Sequence, residues 1–371
     1  MERKKIFIVS TNRSDYGLLQ PIIKQFNNSS FFDLTVIKLQ ELKNHISDET
    51  INIQWHEEII SYETCSENIA KTLNGFDEIG KSFSILINKY KPKLILILGD
   101  RYELLKIVSQ ALIAKIPLAH FSGGEITLGA IDDKIRNMVS FASDIHFVAH
   151  VQASKRLKKI LGDFVSSNIH VVGDPGLEEI KNAKLKDIQE LSTLYKLKLN
   201  QKFILVTLHP ETNNKFFYKS ASIFFDSLMK IQSSIPILIS YGNNDPIGFD
   251  LNKMMIDKLG NRKNTYICSS FGQINYWSLL SNAHIIIGNS SSGLVEAPLF
   301  GCWTIDVGFR QSGRIHGNTV KRIKIDSDII NKTLLCLLNK ERSIERESPY
   351  GDGKTSLKVF QIVKDFFKKS S

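Results

Sequence analysis

Leu94-Ile95-Leu96-Ile97-Leu98-Gly99-Asp100-Arg101-Tyr102-Glu103 is the stretch that decides the fold. Five apolar residues without alternation make a strand covered on both faces, and such strands belong to parallel sheets flanked by helices. A glycine and a charged run end the strand. Glu103–Ala114 then carries Leu104, Ile107, Val108 and Leu112 at helical spacing, which predicts an amphipathic helix with those four on its buried face. Working outward, the same unit recurs. Ile6–Ser10, Leu34–Leu39, Pro117–Phe121, Ile145–Val148 and Ile169–Val172 are short apolar runs separated by amphipathic stretches. This alternation predicts a doubly wound α/β domain.

From about Glu178 to Gln201 the pattern breaks into a stretch rich in Lys, Asn and Glu with no clear strand. A second series follows at Phe203–Thr207, Pro236–Ser240, Tyr266–Ser269, His284–Gly288 and Thr304–Val307. A chain of 371 residues exceeds one typical core. The expected architecture is therefore two doubly wound Rossmann-like α/β domains, 1–180 and 181–355, with a cleft between them. The amphipathic stretch Leu357–Phe367, within a terminal segment 356–371, is expected to pack back on the first domain.

Composition narrows the function classes. With 42% hydrophobic and 23% charged residues the chain reads as globular. No apolar run approaches the ~20 residues of a membrane span, and Lys4-Lys5 lead straight into a strand. No signal peptide or anchor is expected, and the reading is cytoplasmic, without a membrane partner. Cys65, Cys268, Cys302 and Cys336 are scattered with no C-x-x-C pair, which predicts buried free thiols and no zinc site. The net charge of +10 fits an anionic partner. No basic run is interleaved with aromatics and no helix-turn-helix or finger motif occurs, which argues against nucleic acid. Lys364, Lys368 and Lys369 read as the solvated face of the last helix.

Ligands of parallel α/β sheets bind beyond the carboxyl ends of the strands, so the polar segments after each strand carry the chemistry. Ser10-Thr11-Asn12-Arg13-Ser14-Asp15-Tyr16-Gly17 sets an arginine and hydroxyls at a helix start, where free N–H groups favour anions. Asp100 and Arg101 stand side by side at the end of the deciding strand, where burial without purpose is costly. Next come His120-Phe121-Ser122-Gly123-Gly124-Glu125 and Ile131-Asp132-Asp133-Lys134-Ile135-Arg136. One of Asp132 and Asp133 suits a helix cap. Asp100, Glu125 and one of that pair are expected to converge, and repulsion among them to raise at least one pKa, as proton transfer requires.

The second half offers Thr207-Leu208-His209-Pro210-Glu211-Thr212 and Ser240-Tyr241-Gly242-Asn243-Asn244. Its strongest signal is Gly288-Asn289-Ser290-Ser291-Ser292-Gly293, a small polar loop between strand and helix that suits a phosphate. Glu296, one turn into that helix, is placed to accept both hydroxyls of a ribose. Gly308-Phe309-Arg310-Gln311-Ser312-Gly313-Arg314 then supplies two arginines for a diphosphate. There is no Walker A loop, no G-x-G-x-x-G and no metal-ligand cluster of useful spacing.

In this order the segments resemble the hydrolysing UDP-N-acetylglucosamine 2-epimerases, including those of bacterial sialic acid pathways, over about residues 5–320. The matching motifs are Arg13–Gly17, Gly99–Glu103, Gly123–Glu125 with Ile131–Asp133, and His209–Thr212. Gly288–Gly293 with Glu296, and Gly308–Arg314, complete the set. The resemblance implies two Rossmann-like domains as in many glycosyltransferases, homo-oligomers (dimers or tetramers), no cofactor, and conversion of UDP-N-acetylglucosamine and water to N-acetylmannosamine and UDP. It implies that Arg13, Gly17, Arg101, His209, Asn243, Ser290, Ser291, Glu296, Arg310 and Arg314 serve substrate binding, with His209 also at the catalytic centre. Asp100, Glu125 and Asp132 stand at the sugar. Ser122 departs from the Glu or His of some members, Trp303 from a smaller residue or proline, and Asn137 from a frequent histidine. Close relatives act on a UDP-2,4-diacetamido-2,4,6-trideoxy hexose of legionaminic acid pathways, the alternative substrate.

The chemistry expected is elimination followed by hydration. Glu125 or Asp132 removes the C2 proton as UDP leaves. Water then adds at C1, and an acid, with Asp100 the candidate, returns a proton to the opposite face of C2. The competing readings are a non-hydrolysing epimerase, a glycosyltransferase of the same architecture and a nucleotide-sugar-binding regulator without turnover. Clustered carboxylates oppose the last, because they weaken anion binding with no compensating use.

Overall fold

The computed structural model describes residues 3–42, 55–64, 68–126, 132–162, 168–211, 216–242 and 246–369, the side chains of residues 13, 14 and 246–249 excepted. They form two compact units, Met1–Lys181 with Tyr350–Ser371, and Asn182–Pro349. The first holds β1 (Lys4–Ser10), β2 (Phe32–Glu41), β3 (His56–Tyr62), β4 (Leu94–Leu98), β5 (Leu118–Phe121), β6 (Ile145–Val148) and β7 (Ile169–Val171). They form one sheet in the order β3-β2-β1-β4-β5-β6-β7, and every pairing is parallel. Around it lie α1 (Arg13–Asn27), α2 (Ile69–Tyr90), α3 (Leu104–Ile113), α4 (Asp132–Phe141), α5 (Val151–Leu161) and α6 (Gly176–Asn182).

The strand period of two explains why the deciding stretch is apolar throughout. Leu94 and Leu96 face α1, joining Leu19, Ile22, Ile23 and Phe26. Ile95 and Ile97 face the other way, against Ile79 and Phe83 of α2, Ile107 of α3, and Ile135 and Val139 of α4. Both faces are dry.

The second unit repeats the plan with β8 (Ile204–Thr207), β9 (Ile237–Ser240), β10 (Thr265–Cys268), β11 (Ile285–Gly288), β12 (Trp303–Val307) and β13 (Val320–Ile323). Their order is β10-β9-β8-β11-β12-β13, again parallel. Its helices are α7 (Ile188–Tyr195), α8 (Phe217–Met229), α9 (Pro246–Leu259), α10 (Gln273–Asn282), the four-residue α11 (Ser292–Val295) and α12 (Ser327–Leu338). The chain then returns to the first unit as α13 (Thr355–Lys369). Val359, Val363 and Phe367 of α13 enter the core that holds Phe26 and Phe32. Glu178 anchors its start by accepting from the Ser356 N–H at 2.7 Å and from the Ser356 hydroxyl.

In each sheet the strand order reverses at one crevice, between β1 and β4 and between β8 and β11. The loops beyond those strand ends are where an open α/β sheet takes its ligand.

Several sequence expectations need correction. Leu112 is 55% exposed, and Ala111 takes the buried place on α3. Strands β3 and β13 carried no apolar run: both are sheet edges, and His56-Glu57-Glu58 opens β3 while Lys321-Arg322 occupies the middle of β13. The segment 178–201 contains α7, started by a capping box of Asp187 and Glu190. Of the thiols expected to be buried, Cys302 is, Cys268 is half-buried, Cys336 is exposed, and all three are free. Cys65 lies outside the described residues. Among the described residues no helix is long and apolar enough to cross a membrane.

Two histidines in the first sheet are fully buried, His120 on β5 and His146 opposite it on β6. Burial pushes their pKa values down to about 3 and about 4 respectively. Both remain neutral in the folded protein while the unfolded chain takes up protons below about pH 6.5. Stability is therefore level above that pH and falls as pH drops toward 4, by about 1.4 kcal/mol per pH unit for each histidine. His146 has no hydrogen-bond partner on either ring nitrogen among the described residues. Urea unfolding of His146→Leu between pH 7.5 and 5 should show stability at least equal to the parent at pH 7.5 and a slope reduced by one histidine's share. An unchanged slope contradicts the assignment.

Candidate active site

Two loops of the first unit and the first turn of α4 meet on one buried guanidinium. Arg136, on the second turn of α4, is 4% exposed. Its Nη2 donates to Asp100 in the loop after β4. Its Nη1 donates to Asp133 one turn earlier and, at 3.0 Å, to the backbone carbonyl of Glu125 after β5. A buried cation is tolerable only when paired and hydrogen-bonded, so Arg136 fixes these loops as firmly as they fix it. Asp100 and Arg101 do not pair with each other. Arg101 turns instead to Glu103, at 2.9 Å, and Glu103 is fully buried and also accepts from the Tyr62 hydroxyl at 3.0 Å.

The turn that presents Asp100 is held from below. Gly99 ends β4 with φ +90, and its carbonyl accepts from His120 Nε2 at 2.8 Å. The other ring nitrogen of His120 meets the Ser140 hydroxyl at 3.1 Å. Glu125 is presented by a glycine turn with no room for a side chain. Gly124 has φ +75, and a Cβ there would meet the Ala153 carbonyl oxygen of α5 at 2.3 Å. Arg156 of α5 donates to the Gly124 carbonyl.

Asp132 opens α4, and its pKa is raised by burial first and by the charge of Asp100 second. Repulsion was the expected cause; desolvation is the larger one. Asp15 behaves alike. It accepts from Thr11 and, at 3.0 Å, from Asn12, and burial raises its pKa, with Arg101 and Asp100 acting in opposite senses. Asp15 is thus a further carboxylate of this cluster, which the reading of its segment as an arginine-bearing helix start overlooked. Gly17 lies within α1, where a Cβ would meet nothing within 4 Å. Arg13 begins α1, and its side chain lies outside the described residues.

The second unit is organised around Asn289, which is fully buried after β11. Its side chain accepts from the His209 N–H at 2.7 Å and donates to the His209 carbonyl at 2.9 Å. Its own carbonyl accepts from Arg310 at 3.1 Å and from Gln311 at 2.9 Å. One asparagine therefore ties the loop after β8 to those after β11 and β12. The strands approach closely enough because Gly288, with φ +146, has only hydrogens where a Cβ would sit 1.9 Å from the Thr207 carbonyl oxygen. Glu211 holds the turn after β12, accepting from the Phe309 N–H at 2.7 Å and the Arg310 N–H at 3.1 Å. Arg322 braces the same loop, pairing with the buried Asp306 at 2.8 Å and donating to the Gln311 carbonyl at 3.0 Å.

Desolvation and then the nearby charge of Arg314 press the Arg310 pKa downward. Two cations held that close favour an arriving anion. The Ser290 and Ser292 hydroxyls lie 3.1 Å apart, and Ser292 meets the Tyr276 hydroxyl. Glu296 follows α11 and begins a 3-10 turn, Ala297–Phe300, so it stands at a helix end and not inside a helix. Its charge, after burial, helps hold the Tyr276 phenol well above its usual range. With α11 only four residues long, hydroxyls, loop N–H groups and arginines must do most of what a helix dipole would. Asn243, Asn244, Ile131 and Thr212 lie outside the described residues. Trp303 opens β12 at the end away from these loops and donates to the Glu341 carbonyl at 2.8 Å, a packing role.

Comparison with known proteins agrees with this picture. A family model described as UDP-N-acetylglucosamine 2-epimerase matches residues 39–364. The chain is 32% identical over 342 residues to a GDP/UDP-N,N'-diacetylbacillosamine 2-epimerase (hydrolyzing) of Campylobacter jejuni, covering 89% of this chain and 85% of that protein. It is 28% identical to a UDP-N,N'-diacetylbacillosamine 2-epimerase (hydrolyzing) of Legionella pneumophila, covering 97% and 96%. Its fold is similar to the crystal structure of UDP-GlcNAc 2-epimerase from Neisseria meningitidis bound to UDP-GlcNAc, with a TM-score of 0.77, 18% identity, and coverage of 97% and 100%. On the match of the family model across most of its length, the chain belongs to the UDP-N-acetylglucosamine 2-epimerase family.

Proposed function

We propose that the protein is a hydrolysing 2-epimerase of a UDP-linked 2-acetamido sugar, with UDP-N,N'-diacetylbacillosamine as its preferred substrate. The observation that carries the reading is the carboxylate cluster on Arg136. Inverting a C–H centre needs a group to take the proton and another to return it on the opposite face, and an acidic cluster serves little else beside an anionic substrate. In this reading the first unit holds the sugar, while His209, the Ser290–Ser291 loop, Glu296, Arg310 and Arg314 of the second hold UDP.

Glu125 takes the C2 proton as the C1–O bond breaks. The electron pair of the C–H bond becomes the C1–C2 double bond, and that of the C1–O bond leaves with UDP. Arg310 and its neighbours meet the charge that gathers on the departing diphosphate. Water then adds hydroxyl at C1, its other proton passing to solvent, and a carboxylic acid delivers the proton to the other face of C2. Asp132 suits that step better than Asp100. Burial and the charge of Asp100 keep a proton on Asp132 to higher pH, whereas Asp100 is paired with Arg136. The products are UDP and the free 2-epimer, and the balance is one water consumed.

The names of the Campylobacter and Legionella relatives favour the diacetamido sugar. The family description and the Neisseria complex favour UDP-N-acetylglucosamine, the second reading, with N-acetylmannosamine as its product. With both substrates at equal concentration, the diacetamido sugar should be turned over with the higher kcat/KM, releasing UDP in equal amount to free sugar. A product that keeps UDP attached identifies a non-hydrolysing epimerase and overturns the proposal.

Substitutions should divide by unit. Glu125→Gln and Asp132→Asn each lower kcat by about 100- to 10,000-fold while UDP affinity stays within twofold. Arg310→Ala weakens UDP binding by roughly 10-fold or more, the loss of a charge-assisted contact to phosphate. Calorimetric titration with UDP beside steady-state kinetics distinguishes these. Full turnover by Glu125→Gln contradicts its role as the base.

A further inference from the structure

We infer that His150 is a positioning residue that sets the orientation and charge of Glu125. The inference rests on the reading of Glu125 as the C2 base. His150 lies two residues after β6 and caps α5, its Nδ1 accepting from the Ala153 N–H at 3.0 Å. Caps are usually Ser, Thr, Asp or Asn, whose short side chains do the same work. A histidine adds a second ring nitrogen, and here that nitrogen lies 2.9 Å from Glu125 Oε1.

The cap settles the tautomer. A backbone N–H only donates, so Nδ1 is bare and the proton of the neutral ring sits on Nε2, the atom in contact with the carboxylate though not aligned for a hydrogen bond in this structure. The ring is 3% exposed and the Glu125 side chain 15%. Tyr350 closes the far side edge-on, with ring centroids 5.3 Å apart. The main chain at Glu125 is pinned from both flanks, by Arg156 on the Gly124 carbonyl and by Arg136 on its own. His150 adds a contact to the side chain itself.

An N–H in contact with a carboxylate favours the charged form, the form able to accept a proton. Among the described residues, the charged groups tied to the Glu125 turn are Arg136, with its partners Asp100 and Asp133, and Arg156 of α5; Asp132 stands at the start of α4 beside Asp133. Arg136 is committed to Asp100 and Asp133, and His150 lies against the Glu125 carboxylate itself.

His150→Ser keeps a capping oxygen and removes the second nitrogen, so it isolates the inferred role. It should retain its thermal midpoint within a few degrees and its UDP affinity within twofold. Its kcat should fall roughly 10- to 100-fold, as small displacements of a reacting group do, and the acid limb of kcat should move up by about one pH unit. Unchanged kcat and acid limb overturn the inference. Nitrogen-15 NMR of histidine-labelled full-length protein decides the pairing without turnover. The His150 signals should show a protonated Nε2 and a bare Nδ1 and should shift in Glu125→Gln. An Nδ1-protonated ring, or no response to Glu125→Gln, overturns it whether or not His150→Ser folds. A parent protein that turns over neither sugar defeats the reading of function, and the NMR result still stands or falls by itself.

Discussion

A guanidinium with almost no access to water is the constraint on which the first unit's site depends. Arg136 is far too costly to bury alone, and it is made tolerable by Asp100, Asp133 and the Glu125 carbonyl, which come from three separate segments. The converse holds equally. Carboxylates gathered at one sheet edge repel each other, and a central cation lets them stay close without all taking up protons. The result is a graded set: Asp100 paired with Arg136, Asp132 inclined to hold a proton, and Glu125 facing a histidine. Proton traffic at a single carbon needs that kind of grading.

The second unit solves a different problem with a neutral side chain. In the proposed reading these loops receive a phosphate and must stay open to an anion, so a charged pin facing the ligand would compete with it. Asn289 instead reads both polar groups of the His209 peptide and offers its own carbonyl to Arg310 and Gln311. Glu211 and Arg322 spend their charges on the backbone of the Gly308–Arg314 loop. The arginines that meet the diphosphate in the proposed reading are thereby positioned from behind.

Much of this was legible in the amino-acid sequence because parallel strands buried on both faces are apolar without interruption. The strand runs from β1 to β12 could be read that way, apart from β3. Edge strands β3 and β13 could not, since one face of each meets water and carries charge. At the site, rules about strand ends found Asp100, Glu125, His209, Ser290 and Arg310, but not the residues that hold them. Arg136 lies one helical turn after Asp133, a spacing that signals a shared face. Asp15 follows Thr11 and Asn12 at capping distance. His150 sits two residues beyond β6, behind Ala149 and before Val151, so the polar run that marks the other sites is missing there. Tertiary partners such as Glu103 with Tyr62, 41 residues apart, leave no local pattern.

The central claim is that Glu125 and Asp132 exchange a proton at sugar C2. Incubating the protein with UDP-N,N'-diacetylbacillosamine in deuterated water, and examining the released sugar by NMR, tests it most directly. One deuterium at C2 of the inverted product is the expected result. A product whose C2 hydrogen comes unlabelled from the substrate would contradict the claim.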